Sequence, residues 1–114
     1  MRDMQYTLEL WGAWAASENS GVNWQPIAAG FKSLLPNNNK SRLQCSDDEG
    51  IMIDGCVAML KKYKPEEYDL IVLHYIFGVS LRAIAKRKKY SDGTIRKKIQ
   101  NAIGFIEGMI AMIK

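Results

Sequence analysis

The amino-acid sequence predicts an all-α fold of about six helices, on three observations. Apolar residues return every three or four positions along most of the chain, the period of a helix face, and no segment alternates with the period of a half-buried strand. Helix-starting signatures precede several of these stretches: Ser46-Asp47-Asp48-Glu49, Pro65-Glu66-Glu67, Ser80 and Ser91. Turn-forming residues separate them, as in Pro36-Asn37-Asn38-Asn39 and at Gly78. With 114 residues, 47% of them hydrophobic and 25% charged, the chain is expected to fold as one domain rather than to remain disordered.

The first helix is expected from about Arg2 to Ser17, with Met4, Leu8, Trp11 and Ala15 on its inner face and a turn at Glu18-Asn19-Ser20-Gly21. A shorter second helix is expected from Pro26 to about Leu35, because proline suits a first turn whose N–H groups lack partners anyway; Ile27, Phe31 and Leu34 share its face. Residues 36–44 are polar and read as a loop. Ser46 can accept a hydrogen bond from the N–H of Glu49, so a third helix starts at Asp47 and runs to about Lys62. Its acids sit at the positive end of the helix dipole, Lys61 and Lys62 at the negative end, and Ile53, Val57 and Leu60 point inward. The fourth helix starts at Pro65, carries Tyr68, Ile71, Val72, Tyr75 and Ile76, and stops at Gly78. Ser80 caps a fifth helix, Leu81 to about Lys88, and Ser91 caps a sixth. The sixth runs nearly to the end of the chain on Ile95, Ile99, Ala102, Ile103, Ile106 and Ile110.

The net charge of +4 is unevenly spread. Between Arg82 and Gln100, eight bases (Arg82, Lys86, Arg87, Lys88, Lys89, Arg96, Lys97 and Lys98) stand against one acid, Asp92. The local charge is +7, which leaves −3 for the remaining residues. Such a module suits a polyanion, but a solvated basic face without a partner has the same charge count.

The spacing inside the module is more specific. Ile84-Ala85, Ser91 seven residues after Ile84, and Ile95 four residues later fit a helix-turn-helix. Ala85 is small where two helices would cross closely, Ile84 and Ile95 would lock them together, and Ser91 would cap the second helix, whose N-terminal end enters a major groove. Residues 91–100 are then the recognition helix. Asp92, Gly93, Arg96, Lys97 and Gln100 share its outer face, and Arg, Lys and Gln can bond to base edges. With Arg82, Lys86, Arg87, Lys88, Lys89, Ser91 and Thr94 they make up the candidate DNA-binding set. Two positions depart from the usual pattern. Lys88 stands where an apolar residue is common, and Lys89 stands where glycine is common, so Lys89 is expected to take a positive φ. Two packed helices with a basic surface remain the plain alternative.

Other chemistry is thin. Cys45, Cys56 and His74 are the only soft metal ligands and are too few and too far apart for a structural zinc site. No phosphate loop, dinucleotide fingerprint or nucleophile–base pair occurs, so neither an enzyme nor a cofactor is expected. Trp11, Trp14 and Trp24 are expected in the core. No apolar stretch reaches the ~20 residues of a membrane span, and the acid-containing start lacks a secretion signal, so both cysteines are expected reduced in a cytoplasmic protein.

Leu8-Glu9-Leu10-Trp11-Gly12-Ala13-Trp14 and Pro26-Ile27-Ala28-Ala29-Gly30-Phe31-Lys32, continued by Cys45-Ser46-Asp47-Asp48, Ile53-Asp54-Gly55-Cys56, Ser91-Asp92-Gly93 and Ile106-Glu107-Gly108-Met109, together resemble one family. The chain is similar to the late-gene antitermination Q proteins of lambdoid phages, in the subgroup without a zinc finger. Residues 70–110 separately resemble region 4 of bacterial sigma factors. The resemblance implies a factor that binds double-stranded DNA at a phage late promoter and engages host RNA polymerase at a sigma-dependent pause. It then travels with polymerase, narrowing the RNA exit channel so that pauses and terminators are passed. Implied partners are that DNA, with one or two copies bound, the polymerase with its sigma factor, and nearby nascent RNA. No membrane is implied, and the setting is the bacterial host cytoplasm. A further segment beyond Lys114 is also implied. On this view residues 1–78 form a body that faces polymerase, with Lys40 and Arg42 of the polar loop as contacts, and residues 79–114 form the helix-turn-helix and its long last helix. A DNA-binding regulator or sigma-like factor that stays at the promoter is the alternative.

Overall fold

The computed structural model describes residues 3–19, 25–30 and 43–113, and every regular element among them is helical. Helix α1 spans Met4–Trp14 and continues as a π-helical turn, Ala15–Asn19. Then come α2 (Gln25–Gly30), α3 (Asp47–Tyr63) and α4 (Pro65–Ile71), the last continued by a π turn, Val72–Ile76. Helices α5 (Leu81–Lys88) and α6 (Asp92–Ile113) complete the chain. Five of these helices have seven residues or more, and α2 has six. The all-α class is thus as expected. Of the expected turn Glu18-Asn19-Ser20-Gly21, Glu18 and Asn19 belong instead to the π turn that extends α1, and Ser20 and Gly21 lie outside the described residues. The second helix is described only as Gln25–Gly30; its expected continuation through Phe31 and Leu34, and loop residues 36–42, lie outside the described residues.

Local chemistry accounts for the helix ends. Ser46 holds extended backbone angles and its hydroxyl accepts from the Glu49 N–H at 3.2 Å. Asp47, Asp48 and Glu49 occupy the first turn of α3 and Lys61 and Lys62 the last, each with the sign the dipole favours. Pro65 opens α4. Gly78 adopts φ 72°, a left-handed conformation that glycine reaches without a Cβ penalty, and the Val79 N–H turns back to the Leu73 carbonyl at 3.0 Å.

Packing decides the rest. One apolar cluster joins every helix from α1 to α6 except α2, whose Ile27 packs against its edge. Helix α6 lies against α3, α4 and α5, and α1 packs on α3 and the π turn after α4. Leu8, Trp11, Ile53, Leu60, Ile84, Ile95 and Ile106 are among the fully buried side chains. Trp11 and Trp14 are core residues, as expected, while Trp24 lies outside the described residues; each of the two indole N–H groups has an acceptor on α3, Asp54 Oδ1 at 3.2 Å and Asp47 Oδ1 at 2.9 Å. Cys56 is buried, and burial pushes its thiol pKa up, as for a packed rather than a reactive cysteine.

The close approach of α1 and α3 depends on Gly50. A Cβ there would overlap the Trp14 ring, which the Asp47 bond holds in place. Replacing a helical glycine by alanine normally stabilises by ~1 kcal/mol, whereas overpacking a core costs ~1–3 kcal/mol. Gly50→Ala is therefore expected to lower unfolding stability by roughly 1–2 kcal/mol. Gly55→Ala, on the same helix with nothing within 4 Å of the added methyl, should be neutral or stabilising. Urea unfolding of both variants checks the contrast; equal effects would show that Trp14 does not restrict position 50.

Candidate nucleic-acid interface

Helix α5 begins at Ser80, whose hydroxyl accepts from the Ala83 N–H at 3.1 Å. It ends at Lys89, with φ 62° and ψ 36°, the only non-glycine residue among those described with positive φ. The Lys89 N–H reaches the Lys86 carbonyl at 3.3 Å and the Tyr90 N–H reaches the Ala85 carbonyl at 2.9 Å. This is a Schellman closure with lysine in the position that glycine usually fills. Ser91 then caps α6: its hydroxyl accepts from the Thr94 N–H at 3.1 Å and lies 2.8 Å from the Thr94 hydroxyl. Ile84, Ala85 and Ile95 are buried where the two helices pack, as the spacing predicts. The unit is a helix, a short turn and a second helix.

The outer face of the unit is polar. Ser91, Asp92, Gly93, Thr94, Arg96, Lys97 and Gln100 are exposed on α6, as are Arg82, Lys86, Arg87 and Lys89 on α5 and its turn; Lys88 is half-buried. Not every cation is free of the protein. Arg82 Nε lies 3.7 Å from Asp92 Oδ2 and links the starts of the two helices. Arg87 Nη2 donates to the Gly30 carbonyl of α2 at 3.4 Å. Arg96 and Gln100 line a groove of about 240 Å³ together with Gln5 and Glu9 of α1 and His74. The carbonyl of Val79 can only accept, so His74 Nδ1, 2.8 Å from it, is the donor there.

The charge count of the module along the chain is not the charge it presents in space. Lys98 belongs to the basic run, yet its ammonium is 2.9 Å from Glu66 Oε1 on α4. The other Glu66 oxygen accepts from the Tyr90 hydroxyl at 3.0 Å, and the Lys98 ammonium lies 5.3 Å from the Tyr90 ring centroid. The hydrogen bond from Lys98 holds the Glu66 carboxyl below the usual carboxylate range, and the same bond raises the Lys98 pKa. Sequence spacing could not reveal a cluster whose members are 24 and 32 residues apart. Lys40 and Arg42 lie outside the described residues. Among the described residues no group of three or more His, Cys, Asp or Glu could hold a metal ion, and no helix is long and apolar enough to cross a membrane.

The architecture is that of solved transcription antitermination factors. The transcription antitermination factor Q21 in complex with Q21-binding-element DNA superposes with a TM-score of 0.72 at 21% identity, over 96% of this chain and 87% of the other. The bacteriophage 21 Q protein superposes with a TM-score of 0.68 at 22% identity, over 95% and 87%. Closer in sequence are a probable antitermination protein Q of Acyrthosiphon pisum secondary endosymbiont phage 1, 48% identical over 98% of this chain and 76% of the relative, and the prophage antitermination protein Q homolog QuuD of Escherichia coli (strain K12), 48% identical over 96% and 87%. The profile of the family described as phage antitermination protein Q matches residues 1–114. The chain belongs to that family.

Lys89 provides a local test of the turn. A side chain in the left-handed region costs ~1–2 kcal/mol, partly offset by the greater freedom that glycine would add to the unfolded chain. Lys89→Gly is expected to raise stability by up to about 1 kcal/mol, read as a higher urea midpoint. A lower midpoint would show that Lys89 is not strained there.

Proposed function

We propose that this chain is a phage transcription antitermination factor that binds an element at a late promoter through α5 and α6, used as a helix-turn-helix of the sigma-region-4 kind. Bound there, it loads onto paused RNA polymerase and suppresses pausing and termination by narrowing the RNA exit channel. The observation that most supports this is that, in a chain of this family, the first turns of α6 expose Arg96, Lys97 and Gln100 while Ile95 and Ile99 are buried. A protein of the same fold has been solved with its binding-element DNA.

Each residue has a role that fits its position. Arg96, Lys97 and Gln100 read base edges, and Gly93 lets the backbone approach the groove without a side chain between. Ser91, Asp92 and Thr94 form the capped end of the reading helix, and Asp92 sets the position of Arg82. Arg82, Lys86, Arg87, Lys88 and Lys89 neutralise phosphates, Arg87 by leaving its weak bond to Gly30. Residues 1–78 face the polymerase, its sigma factor and the emerging RNA, with Lys40 and Arg42 among the contacts. One or two copies occupy the element.

Arg96→Ala or Lys97→Ala is expected to cost roughly 1–3 kcal/mol on the specific element and less on random DNA, whereas Lys86→Ala or Lys89→Ala should weaken both alike. Titration of labelled duplexes measures this, and equal losses at all four positions would place the reading helix elsewhere. For the whole function, single-round transcription past a terminator is the direct test. Read-through is expected only on templates carrying the cognate late promoter. Lys40→Ala with Arg42→Ala should reduce read-through while DNA affinity stays within about 0.5 kcal/mol of wild type. Promoter binding without any read-through would favour a regulator that stays at the promoter.

A further inference from the structure

Glu66 on α4 bonds both α6 and the turn that precedes it. One carboxylate oxygen bonds the Lys98 ammonium on α6 and the other the Tyr90 hydroxyl in the turn. Lys98 follows Lys97 directly on α6, about 100° further round the helix, and so stands at the flank of the exposed face that carries Arg96 and Lys97. Its ammonium is held at 2.9 Å on the side facing the body, with the Tyr90 ring alongside. A partly exposed ion pair of this kind adds little to folding stability, because water screens it and two side chains must be ordered to form it. Its larger effect is on which charges are available. A lysine free to reach a phosphate adds affinity for any sequence, because counterions are released whatever the bases are. A lysine whose ammonium is held on the protein by a carboxylate at 2.9 Å and is largely covered, as Lys98 is, adds none; Arg82, 3.7 Å from Asp92 and 87% exposed, is not so held.

We propose that Glu66 is a specificity-determining, positioning residue: by bonding Lys98 and Tyr90 together it withdraws the Lys98 ammonium from the DNA backbone and anchors the turn on α4, so that discrimination rests on base contacts rather than on added charge. This rests on the proposed entry of α6 into DNA. The charge shifts agree with the geometry, since each partner holds the other in its ionised form.

The test compares wild type, Glu66→Gln, Lys98→Met and the double variant. The probes are a duplex enriched by the wild-type protein from a random pool and a scrambled duplex of the same composition. Glutamine keeps an acceptor for Tyr90 but removes the charge that holds Lys98. Glu66→Gln is expected to steepen the slope of log affinity against log salt by about 0.9, the value for one more phosphate contact. It should also tighten binding to the scrambled duplex more than to the enriched one, lowering the ratio between them. Lys98→Met alone should keep the wild-type slope, and the double variant should return to it. Weakening of the brace without release of Lys98 would leave the slope unchanged, so the slope separates this role from a merely structural one. An unchanged slope in Glu66→Gln overturns the proposal. So does a slope flattened by about 0.9 in Lys98→Met, which would put Lys98 on a phosphate in the wild type; that arm decides the matter even if Glu66→Gln fails to fold. A wild-type protein that binds the two duplexes equally overturns DNA reading itself, and this inference with it.

Discussion

The structure depends on α6 being one continuous helix that packs in two places. Its buried row, Ile95, Ile99, Ala102, Ile103 and Ile106, begins in the packing with α5 and ends in the core formed with α3 and α4. At 1.5 Å per residue its 22 residues extend about 33 Å. A helix of that length, packed along most of one face, acts as a rigid lever. The direction in which Arg96, Lys97 and Gln100 point is therefore set by packing near Ile103 and Ile106 as well as by the turn at Lys89. Residues outside α5 and the start of α6 thus belong to the geometry of that exposed face.

The other half of the core shows how this seating is held. Helix α1 is fixed on α3 by two tryptophans that combine large buried surfaces with directed hydrogen bonds, to Asp54 and Asp47. Apolar burial supplies most of the stability and has little direction; the indole N–H groups supply direction. Gly50 completes the contact by offering no side chain where the Trp14 ring lies. The π turns after α1 and α4 fit the same picture, since each widens the helix where residues such as Ala15, Val72 and Leu73 pack into the core.

Charge is distributed by contact rather than by segment. Along the chain the module looks uniformly basic, but in space an acid reaches each side of it: Asp92 beside Arg82, and Glu66 beside Lys98. Both pairs link separate elements, one joining α5 to α6 and the other α6 to α4. Exposed pairs contribute little to stability, so their main effect is on which cations remain turned to solvent and in what orientation.

Much of this was legible in the sequence. The caps at Ser46, Ser80 and Ser91, the stop at Gly78 and the positive φ of Lys89 are local properties, set by residues within one or two turns of each other. The buried faces of α3, α5 and α6 follow from helical periodicity, which one strand of sequence carries by itself, and the WGAW and IAAGF stretches pointed to the family. Only the tertiary structure decided that Glu18 and Asn19 extend α1 instead of turning the chain, that Asp47 and Asp54 serve tryptophans, that Arg87 leans on α2, and that Lys98 is held by Glu66. These contacts join residues as much as 57 positions apart. The physical reason is one of range: capping and helix-face periodicity act over a few residues, whereas ion pairs and indole hydrogen bonds form between whatever groups packing brings within about 3 Å, a distance that no spacing along the chain encodes.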